Sequence, residues 1–598
     1  MHFPDLRSFL DRLRDRGDLF EVTVPVSADE EIAEIHRRVI AAGGPALLFS
    51  AVEGADHPCV TNLFGTAERA LEAFGDRPFR LIERLVEVVQ TLPPPTAAKL
   101  WDARDLGLAA LKLGARRVNR APVLEVVDRR PDLTRLPALK TWPQDGGPFV
   151  TLPLCYSEHP TDGGSNLGMY RLQVYDRSTT GMHWQIGRGG GYHYGVAEER
   201  GESLPVTVLL GGPPALVLAA IAPLPENVPE MLLASLLTGA RLRTCDGPGP
   251  HRLVADAEFA LVGQVPPRLR REEGPFGDHY GYYSLRHDFP VFELEAIARR
   301  RDAIFPATVV GKPRQEDFFI GDLLQDLLSP LFPLVMPLVR SLWSYGETGY
   351  HSLAGAVVHN RHPREALSCA LRILGEGQLS LTKFLLVTDQ AVDLRDFRAT
   401  LEHVLSRCRF DTDLYVIGNT SMDTLDYTGD RINEGSKGVL LGLGDPIREL
   451  AGEFSAAELP AGVDRVEVFC RGCLVVGGPS KESEPGFAER IAGHTAFADW
   501  PLVVVSDEPD RAARSSINFL WTTFTRFEPA LDIYAARTEL IRNQVVYGAP
   551  VVIDARVRPE FPDEMTASRE IAERVTRRWR EYFPSGVEMG DSESGHLS

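Results

Sequence analysis

The chain has 598 residues, 44% hydrophobic and 25% charged, the balance of a soluble globular protein with roughly three or four domains by length. Its formal charge of -19 excludes broad nonspecific nucleic-acid binding, which requires a basic surface. A small anionic substrate responds instead to the local field of its pocket. No apolar run reaches 18 residues, and the start Met1-His-Phe-Pro-Asp-Leu-Arg7 lacks signal-peptide order. A cytoplasmic protein without an integral membrane segment is therefore expected.

Asp5 can cap a first helix with Leu6, Phe9, Leu10 and Leu13 on one face and Gly17 at its end. A strand over 20–26 follows, then a helix over 30–41 with Ile32, Ile35, Val39 and Ile40 at helical spacing, and a buried strand over 45–49. Helices over 67–74 and 78–92 lead to the Pro93-Pro-Pro-Thr96 break, so residues 1–125 are expected to be an α+β domain. Residues 126–315 are strand-rich, with candidates over 122–127, 170–175, 181–186, 204–210, 259–265, 289–298 and 303–309 and one helix over 229–238. A closed or split β-barrel with an inserted helix fits this pattern better than a doubly wound sheet. Residues 316–510 alternate helices (321–328, 333–342, 363–374) with strands (384–388, 414–418, 466–469, 502–506), an α/β domain in which 411–437 reads as a long polar connection. Residues 511–598 are a C-terminal extension whose last ten residues are expected to be a disordered tail. No internal repeat is apparent. The seven cysteines, including Cys470-Arg-Gly-Cys473, read as buried free thiols ahead of a metal or redox site.

Chemistry concentrates in Arg271-Glu-Glu-Gly-Pro-Phe-Gly-Asp-His-Tyr-Gly-Tyr-Tyr283. Glu273 and Asp278 sit on a Gly-Pro-Phe-Gly loop of irregular backbone, followed by His279 and three tyrosines. Paired carboxylates among aromatic groups can acquire separate pKa values and so do acid and base chemistry near neutrality. Alone, the stretch also fits a surface turn. Gly163-Gly-Ser-Asn-Leu-Gly-Met-Tyr-Arg171 offers the Asn166 amide oxygen and the Arg171 guanidinium. Their odd spacing puts them on opposite faces of a regular strand, so sharing a pocket requires a break between them.

Thr180-Gly-Met-His-Trp-Gln-Ile-Gly-Arg-Gly-Gly-Gly-Tyr-His-Tyr194 ends in glycines whose N–H groups, beside Arg188, could cradle a phosphate, or form a plain hairpin turn. Gly211 to Glu230 reads as a small-residue apolar strand and a proline wall, Pro223 and Pro225, that a planar ligand could approach. Glu230 suits a helix N-terminus; with Asn166 it also offers hard oxygen ligands to magnesium or manganese. Asn433-Glu-Gly-Ser-Lys-Gly-Val439 places Lys437 as a point-charge partner for phosphate or in an ordinary turn.

Asn166-Leu-Gly-Met-Tyr-Arg171, Pro223-Leu-Pro225 with Glu230, Glu273-Gly-Pro-Phe-Gly-Asp278-His-Tyr-Gly-Tyr282, Arg301-Asp-Ala-Ile304, Thr382-Lys-Phe384 and Gly435-Ser-Lys437 occur in an order and spacing that resemble the UbiD family of prenylated-flavin-dependent carboxy-lyases. The N-terminal Leu6-Arg-Ser-Phe-Leu10, Gly44-Pro-Ala-Leu-Leu-Phe49 and Asn62-Leu-Phe-Gly65 extend the likeness over most of the chain. The resemblance implies an N-terminal α+β domain, a central flavin-reductase-like split β-barrel that binds prenylated FMN, and a C-terminal α/β domain supporting a homo-oligomer, dimer or hexamer. It implies reversible decarboxylation of an aromatic or α,β-unsaturated acid through a covalent adduct with the cofactor, which a flavin prenyltransferase supplies. By the same resemblance Arg171, Glu273 and Asp278 are catalytic, Glu273 carrying the proton. Thr151, Arg171, Arg188, Ala222, Pro223, Glu230 and Lys437 would contact the cofactor. Asn166 and Glu230 would hold Mn2+ or Mg2+, with K+ a further candidate ion. One departure stands out: the family's histidine ligand before the Arg-Gly-Gly turn falls on Gly187. His183 shares its strand parity but lies about 13 Å away at strand rise; His193 could fold back as a third ligand, two side chains with phosphate and water could hold the metal, or the site could have shifted. An FMN-dependent reductase and a noncatalytic flavin-binding partner are the alternative functions.

Overall fold

The computed structural model describes residues 3–91, 96–110, 113–184, 189–224, 228–312, 314–456 and 458–591. Asp5 accepts a hydrogen bond from the Ser8 N–H and starts helix α1 (Leu6–Asp15), which buries the four expected apolar residues. Strand β1 (Leu19–Val22), helix α2 (Glu31–Ala41) and strand β2 (Ala46–Phe49) form a parallel crossover, and β3 (Cys59–Thr61) pairs antiparallel with β2. Helices Ala67–Phe74 and Arg77–Thr91 follow. The expected Pro93 to Thr96 break lies mostly outside the described residues. Two units make up the fold: one runs to Leu327 and takes back the segment from Glu564, and the other is Leu328–Asp563.

The strand-rich segment of the first unit supplies β4 (Val126–Asp128), β5 (Leu154–Glu158), β6 (Ser165–Met169), β7 (Leu172–Gln173), β8 (Thr179–Gly181), helix α3 (Gly189–Glu199), β9 (Leu204–Leu210), helices α4 (Ala215–Ile221) and α5 (Glu230–Thr238), β10 (Phe259–Val265), β11 (Arg270–Glu273), β12 (His287–Arg299) and β13 (Phe305–Pro306). Eight of these strands form one sheet in the order β8–β12–β10–β9–β5–β6, with β11 and β4 also on β12. Among the described residues this path is open rather than closed into a barrel. β13 returns to β3 in parallel. The segment before Pro223 is helix α4, not the expected strand; its Ala and Leu content favours helix over the β-branched composition a strand prefers. Val206, Val208, Leu210, Phe259 and Phe292 bury against Val22, Leu47 and Phe49 of the first sheet and against Val575 and Trp579 of the helix Arg569–Tyr582. Each such side chain contributes about 1.5–3 kcal/mol by leaving water.

Within the expected C-terminal extension, the helix Arg569–Tyr582 is docked. It packs on α2, where Glu31 Oε1 accepts from Arg578 and from the Tyr582 hydroxyl, both at 2.6 Å. Residues 592–598 of the expected tail lie outside the described residues. One stretch, Glu316–Val335, is long and apolar enough by length and composition to cross a membrane. It comprises helix α6 (Glu316–Leu328), a 3-10 turn at Ser329–Leu331 and a last short turn of helix.

The second unit holds β14 (Val339–Ser344), β15 (Leu353–Val358), α7 (Glu365–Ile373), β16 (Phe384–Thr388), α8 (Phe397–Leu405), β17 (Leu414–Ser421) and β18 (Glu434–Gly442), then β19 (Arg465–Cys470), β20 (Cys473–Gly477), α9 (Phe487–Ala492), β21 (Leu502–Val505), α10 (Ser516–Phe524), β22 (Ile533–Ile541) and β23 (Gln544–Asp554). The expected polar connection over 411–437 is largely the β17–β18 pair, and the second sheet continues past the expected boundary at 510.

The two sheets, β14–β15–β16–β18–β17 and β19–β20–β21–β23–β22, have the same order and the same parallel and antiparallel pairings. Their registers match: Leu353–Phe384–Gly438 corresponds to Cys473–Leu502–Val551. Asp389 accepts from the Gly444 N–H at 2.9 Å, and Asp507 from the Val557 N–H at 2.7 Å. Before the fourth strand in chain order, Asp413 caps the Arg409 N–H and Asp532 the Glu528 N–H, both at 2.8 Å. The fold is thus duplicated where the sequence shows no repeat. α7 and α9 cover the outer faces. The equivalent inner faces share one core containing α8 and α10, with Leu353, Phe384, Leu386 and Leu440 on one side and Cys473, Leu502, Val504 and Ile553 on the other.

Candidate active site

Glu273 ends β11 opposite His287 of β12, and the loop after it is held by its backbone. Gly274 has φ +99°, a conformation natural to glycine. Its N–H donates to Gln173 Oε1 (2.8 Å), the Gly277 N–H to Asp145 Oδ1 (2.8 Å), and the Pro275 carbonyl accepts from the Gly146 N–H (2.8 Å). Both acids are therefore carried on a fixed turn with buried side chains. The strand break that the Asn166 and Arg171 spacing requires falls between β6 and β7.

From that break Arg171 joins the two acids. Its Nε donates to Glu273 Oε1 at 3.1 Å, its Nη1 to Asp278 Oδ2, and its Nη2 to Ser284 Oγ at 3.2 Å, while the guanidinium lies 4.5 Å over the Phe276 ring. His183 Nδ1 sits 2.8 Å from the same Glu273 Oε1. Glu273 Oε2 is buried without a hydrogen-bond partner. Burial pushes the Glu273 carboxyl up, but His183 and Arg171 outweigh it and hold the group below its ordinary value. Burial likewise opposes ionisation of Asp278, yet Arg171 and His279 hold it well below the ordinary range. Nearby, burial pushes Asp317, in the first turn of α6, up to about 6 against the pull of His279.

A second polar patch joins β6, α5 and α3. Asn166 Nδ2 donates to Glu230 Oε1 (3.2 Å), the Leu167 N–H donates to Glu230 Oε2 (2.9 Å), and the Tyr170 hydroxyl donates to Asn166 Oδ1 (3.1 Å). Burial raises the Glu230 pKa. The Gly190 N–H at the start of α3 donates to Tyr170 Oη (3.3 Å), and a Cβ on Gly189 would stand 2.6 Å from that oxygen. His193 instead meets Ser157 Oγ through Nδ1 (2.9 Å) and packs on His159, with its pKa pushed down to about 4 by burial first and His159 second. Among the described residues no three His, Cys, Asp or Glu side chains gather as a metal set. Asn166 and Glu230, the two expected metal ligands, are brought side by side, while His193 is turned to Ser157 and His159. Features that a polar, planar ligand could meet, the unpartnered buried Glu273 Oε2 and Trp184 Nε1 and the glycine-lined start of α3, all lie on the first unit.

Of the other expected contacts, Thr151 is buried with Oγ accepting from the Thr308 N–H (2.9 Å), and Ala222 and Pro223 follow α4. Gly187, Arg188 and Pro225 lie outside the described residues. Lys437 belongs to the second unit, in β18, where Nζ donates to the Thr382 carbonyl (2.8 Å) and burial lowers its pKa to about 8. All seven cysteines are buried free thiols, Cys470 and Cys473 facing each other across the β19–β20 pair.

Three domain families match in order: the N-terminal domain of 3-octaprenyl-4-hydroxybenzoate carboxy-lyase over residues 10–89, its Rift-related domain over 116–313 and its C-terminal domain over 318–442. The chain belongs to the UbiD family. It is, with that family, a carboxy-lyase. Among UbiD relatives, a protein of Chlamydia trachomatis serovar D is 48% identical over 97% of this chain and 100% of its own. A 4-hydroxybenzoate decarboxylase component of Chlamydia pneumoniae is 48% identical over 97% of this chain and 98% of its own. Among solved structures, vanillic acid decarboxylase of Sedimentibacter hydroxybenzoicus in closed form (23% identical) matches with TM-score 0.66 over 77% of this chain and 96% of that one. The UbiD-class enzyme HmfF from Pelotomaculum thermopropionicum in complex with FMN (24% identical) matches with TM-score 0.62 over 76% and 97%. These likenesses show a shared mixed α+β multidomain fold. The matched UbiD segments end at residue 442, before the second sheet of the duplicated pair begins at β19.

Sequence reasoning finds Arg171, Glu273 and Asp278 but misses what holds them. It considers His183 only as a metal ligand, and it does not single out Ser284, Asp145 or Gln173. A usable signal for His183 is its two-residue step from Gly181, which turns both toward Glu273: a Cβ on Gly181 would stand 2.7 Å from Glu273 Oε2.

Proposed function

We propose that this UbiD-family decarboxylase acts reversibly on an aromatic or α,β-unsaturated carboxylic acid, with prenylated FMN as cofactor and Glu273 exchanging the proton with the carbon that loses carbon dioxide. The observation that carries this is the division of labour at Glu273: Oε1 is held by Arg171 and His183, while Oε2 is buried and unpartnered. Loss of carbon dioxide leaves an electron pair that no side chain can accept, and prenylated FMN supplies that electron sink when bound. Arg171 orients Glu273 and the substrate carboxylate; Asp278 anchors Arg171 and remains ionised. The region 126–315, read as a split barrel, would be the flavin-binding domain, in keeping with its open eight-stranded sheet. Neighbouring structures contain FMN and prFMN, which supports this cofactor class. No step is routed through a metal. A homo-oligomer in the cytoplasm is the proposed setting, with a flavin prenyltransferase as cofactor source; the seven buried free thiols suit a reducing compartment.

The names of the relatives make hydroxybenzoates the first substrates to test. Protein purified from cells that make prenylated FMN should carry flavin absorbance and decarboxylate 4-hydroxybenzoate, vanillate or 3,4-dihydroxybenzoate. Glu273→Gln and Arg171→Ala should each lose at least about 100-fold in kcat while keeping their flavin. Unchanged activity in both variants would remove the acid–base assignment, and absence of flavin would remove the cofactor.

A further inference from the structure

The Glu273 side chain is fully buried, whereas the His183 side chain bonded to it is 22% exposed. Arg171, the other donor to Glu273 Oε1, cannot give up a proton in the working range. An acid that delivers a proton to carbon must be reloaded each turnover, and among the described residues the exposed member of the pair is the imidazole. The ring is held for that task by a tilted stack on Phe289 of β12, with centroids 4.3 Å apart, and by the His183 N–H donating to the Arg171 carbonyl at 3.3 Å.

We infer that His183 is the proton relay that reloads Glu273, an inference that rests on the proposed role of Glu273 as the acid. The step balances without any redox partner. Water protonates His183 Nε2, the Nδ1 proton passes to Glu273 Oε1, and the imidazole is left neutral with its proton on Nε2. A half rotation of the carboxyl presents the acidic proton on its open side. After transfer to carbon the group is a carboxylate again; the imidazole ring turns so that Nδ1 meets solvent, gives its Nε2 proton to water, takes one from water on Nδ1, and turns back to Glu273. Gly181 leaves open the space beside Glu273 Oε2 and the Tyr175 hydroxyl, since a Cβ there would stand 2.7 Å from the first and 2.9 Å from the second. The charged and titratable groups facing His183 are Arg171 from the strand break, Glu273 from β11 and Asp278 from the loop. Burial and Arg171 lower the imidazole pKa, while Glu273 and Asp278 raise it.

Two readouts test the relay. The first needs no substrate: in the full chain with isotope-labelled histidine, His183 should titrate as one member of a coupled pair by NMR, and Glu273→Gln should move its pKa further down because the stabilising anion is gone. An identical His183 titration in Glu273→Gln overturns the coupling. The second uses the flavin-loaded enzyme. His183→Asn keeps a donor near the Nδ1 position but cannot carry a proton, so kcat should fall about 10- to 100-fold with KM within about twofold, and the kcat–pH profile should change shape. His183→Ala should regain activity with added imidazole. A His183→Asn enzyme with the wild-type profile, or a His183→Ala enzyme blind to imidazole, overturns the relay. If Glu273→Gln is inactive while His183→Asn is unaffected, the relay alone fails; if both are active, the acid assignment itself fails.

Discussion

At Glu273 two neighbours bind one oxygen and a glycine leaves room for the other, so the position of a single carboxylate depends on three residues from two other segments. Gly181→Ala should displace Oε2 and lower kcat about 10- to 100-fold through misplacement of the reacting group. The cost in stability should be only about 1–3 kcal/mol, as for other small overpacking changes. Enzyme kinetics and thermal unfolding together check this; unaltered kcat would show that Oε2 has room to spare. The acids and Arg171 are legible in the sequence because their residue types and the Gly-Pro-Phe-Gly loop announce them locally. His183 is not, because its partner lies 90 residues away and only the fold brings the two together.

At the scale of elements, strongly periodic segments such as α1, α2, β9 and β10 are legible because one face of each is continuously apolar. β18 is not: the expected strand over 414–418 matches the start of β17, but Asn, Asp and Gly crowd the turn after it, so composition there resembles a loop that hides the pairing with β18. Nothing local announces that helix Arg569–Tyr582 docks on α2, because its polar anchors, Arg578 and Tyr582, find Glu31 more than five hundred residues away. Beside the β17–β18 pair, Lys383 and Asp426 form a buried ion pair at 2.7 Å. Lys383→Met leaves Asp426 buried without its cation and should destabilise the second unit by about 3–5 kcal/mol. Adding Asp426→Leu should restore most of that loss. Chemical denaturation of the single and double variants measures both, and equal stabilities throughout would mean that water already screens the pair.

On the scale of the whole molecule, the duplicated sheets of the second unit share one core, so they should open together. Phe469 and Phe519 stack there with centroids 3.8 Å apart, and Phe384 and Phe397 lie against Phe524 at 6.1 and 6.0 Å. Phe519→Ala should cost about 3–5 kcal/mol. Hydrogen exchange should then show β16 and β21 losing protection in parallel. Loss confined to β21 would show two independently stable halves. The repeat escapes detection in sequence because a buried parallel strand requires only an apolar run: Phe384-Leu-Leu-Val-Thr-Asp389 and Leu502-Val-Val-Val-Ser-Asp507 share a pattern but few identities.

The register that equates the halves also pairs Lys383 with Pro501 and Lys437 with Pro550. One copy keeps two ammonium groups where its twin has rings that can neither donate nor carry charge. The molecule therefore contains its own control experiment. Substitutions tolerated at Pro501 and Pro550 but not at Lys383 and Lys437 would separate what chemistry demands of this architecture from what folding demands of it.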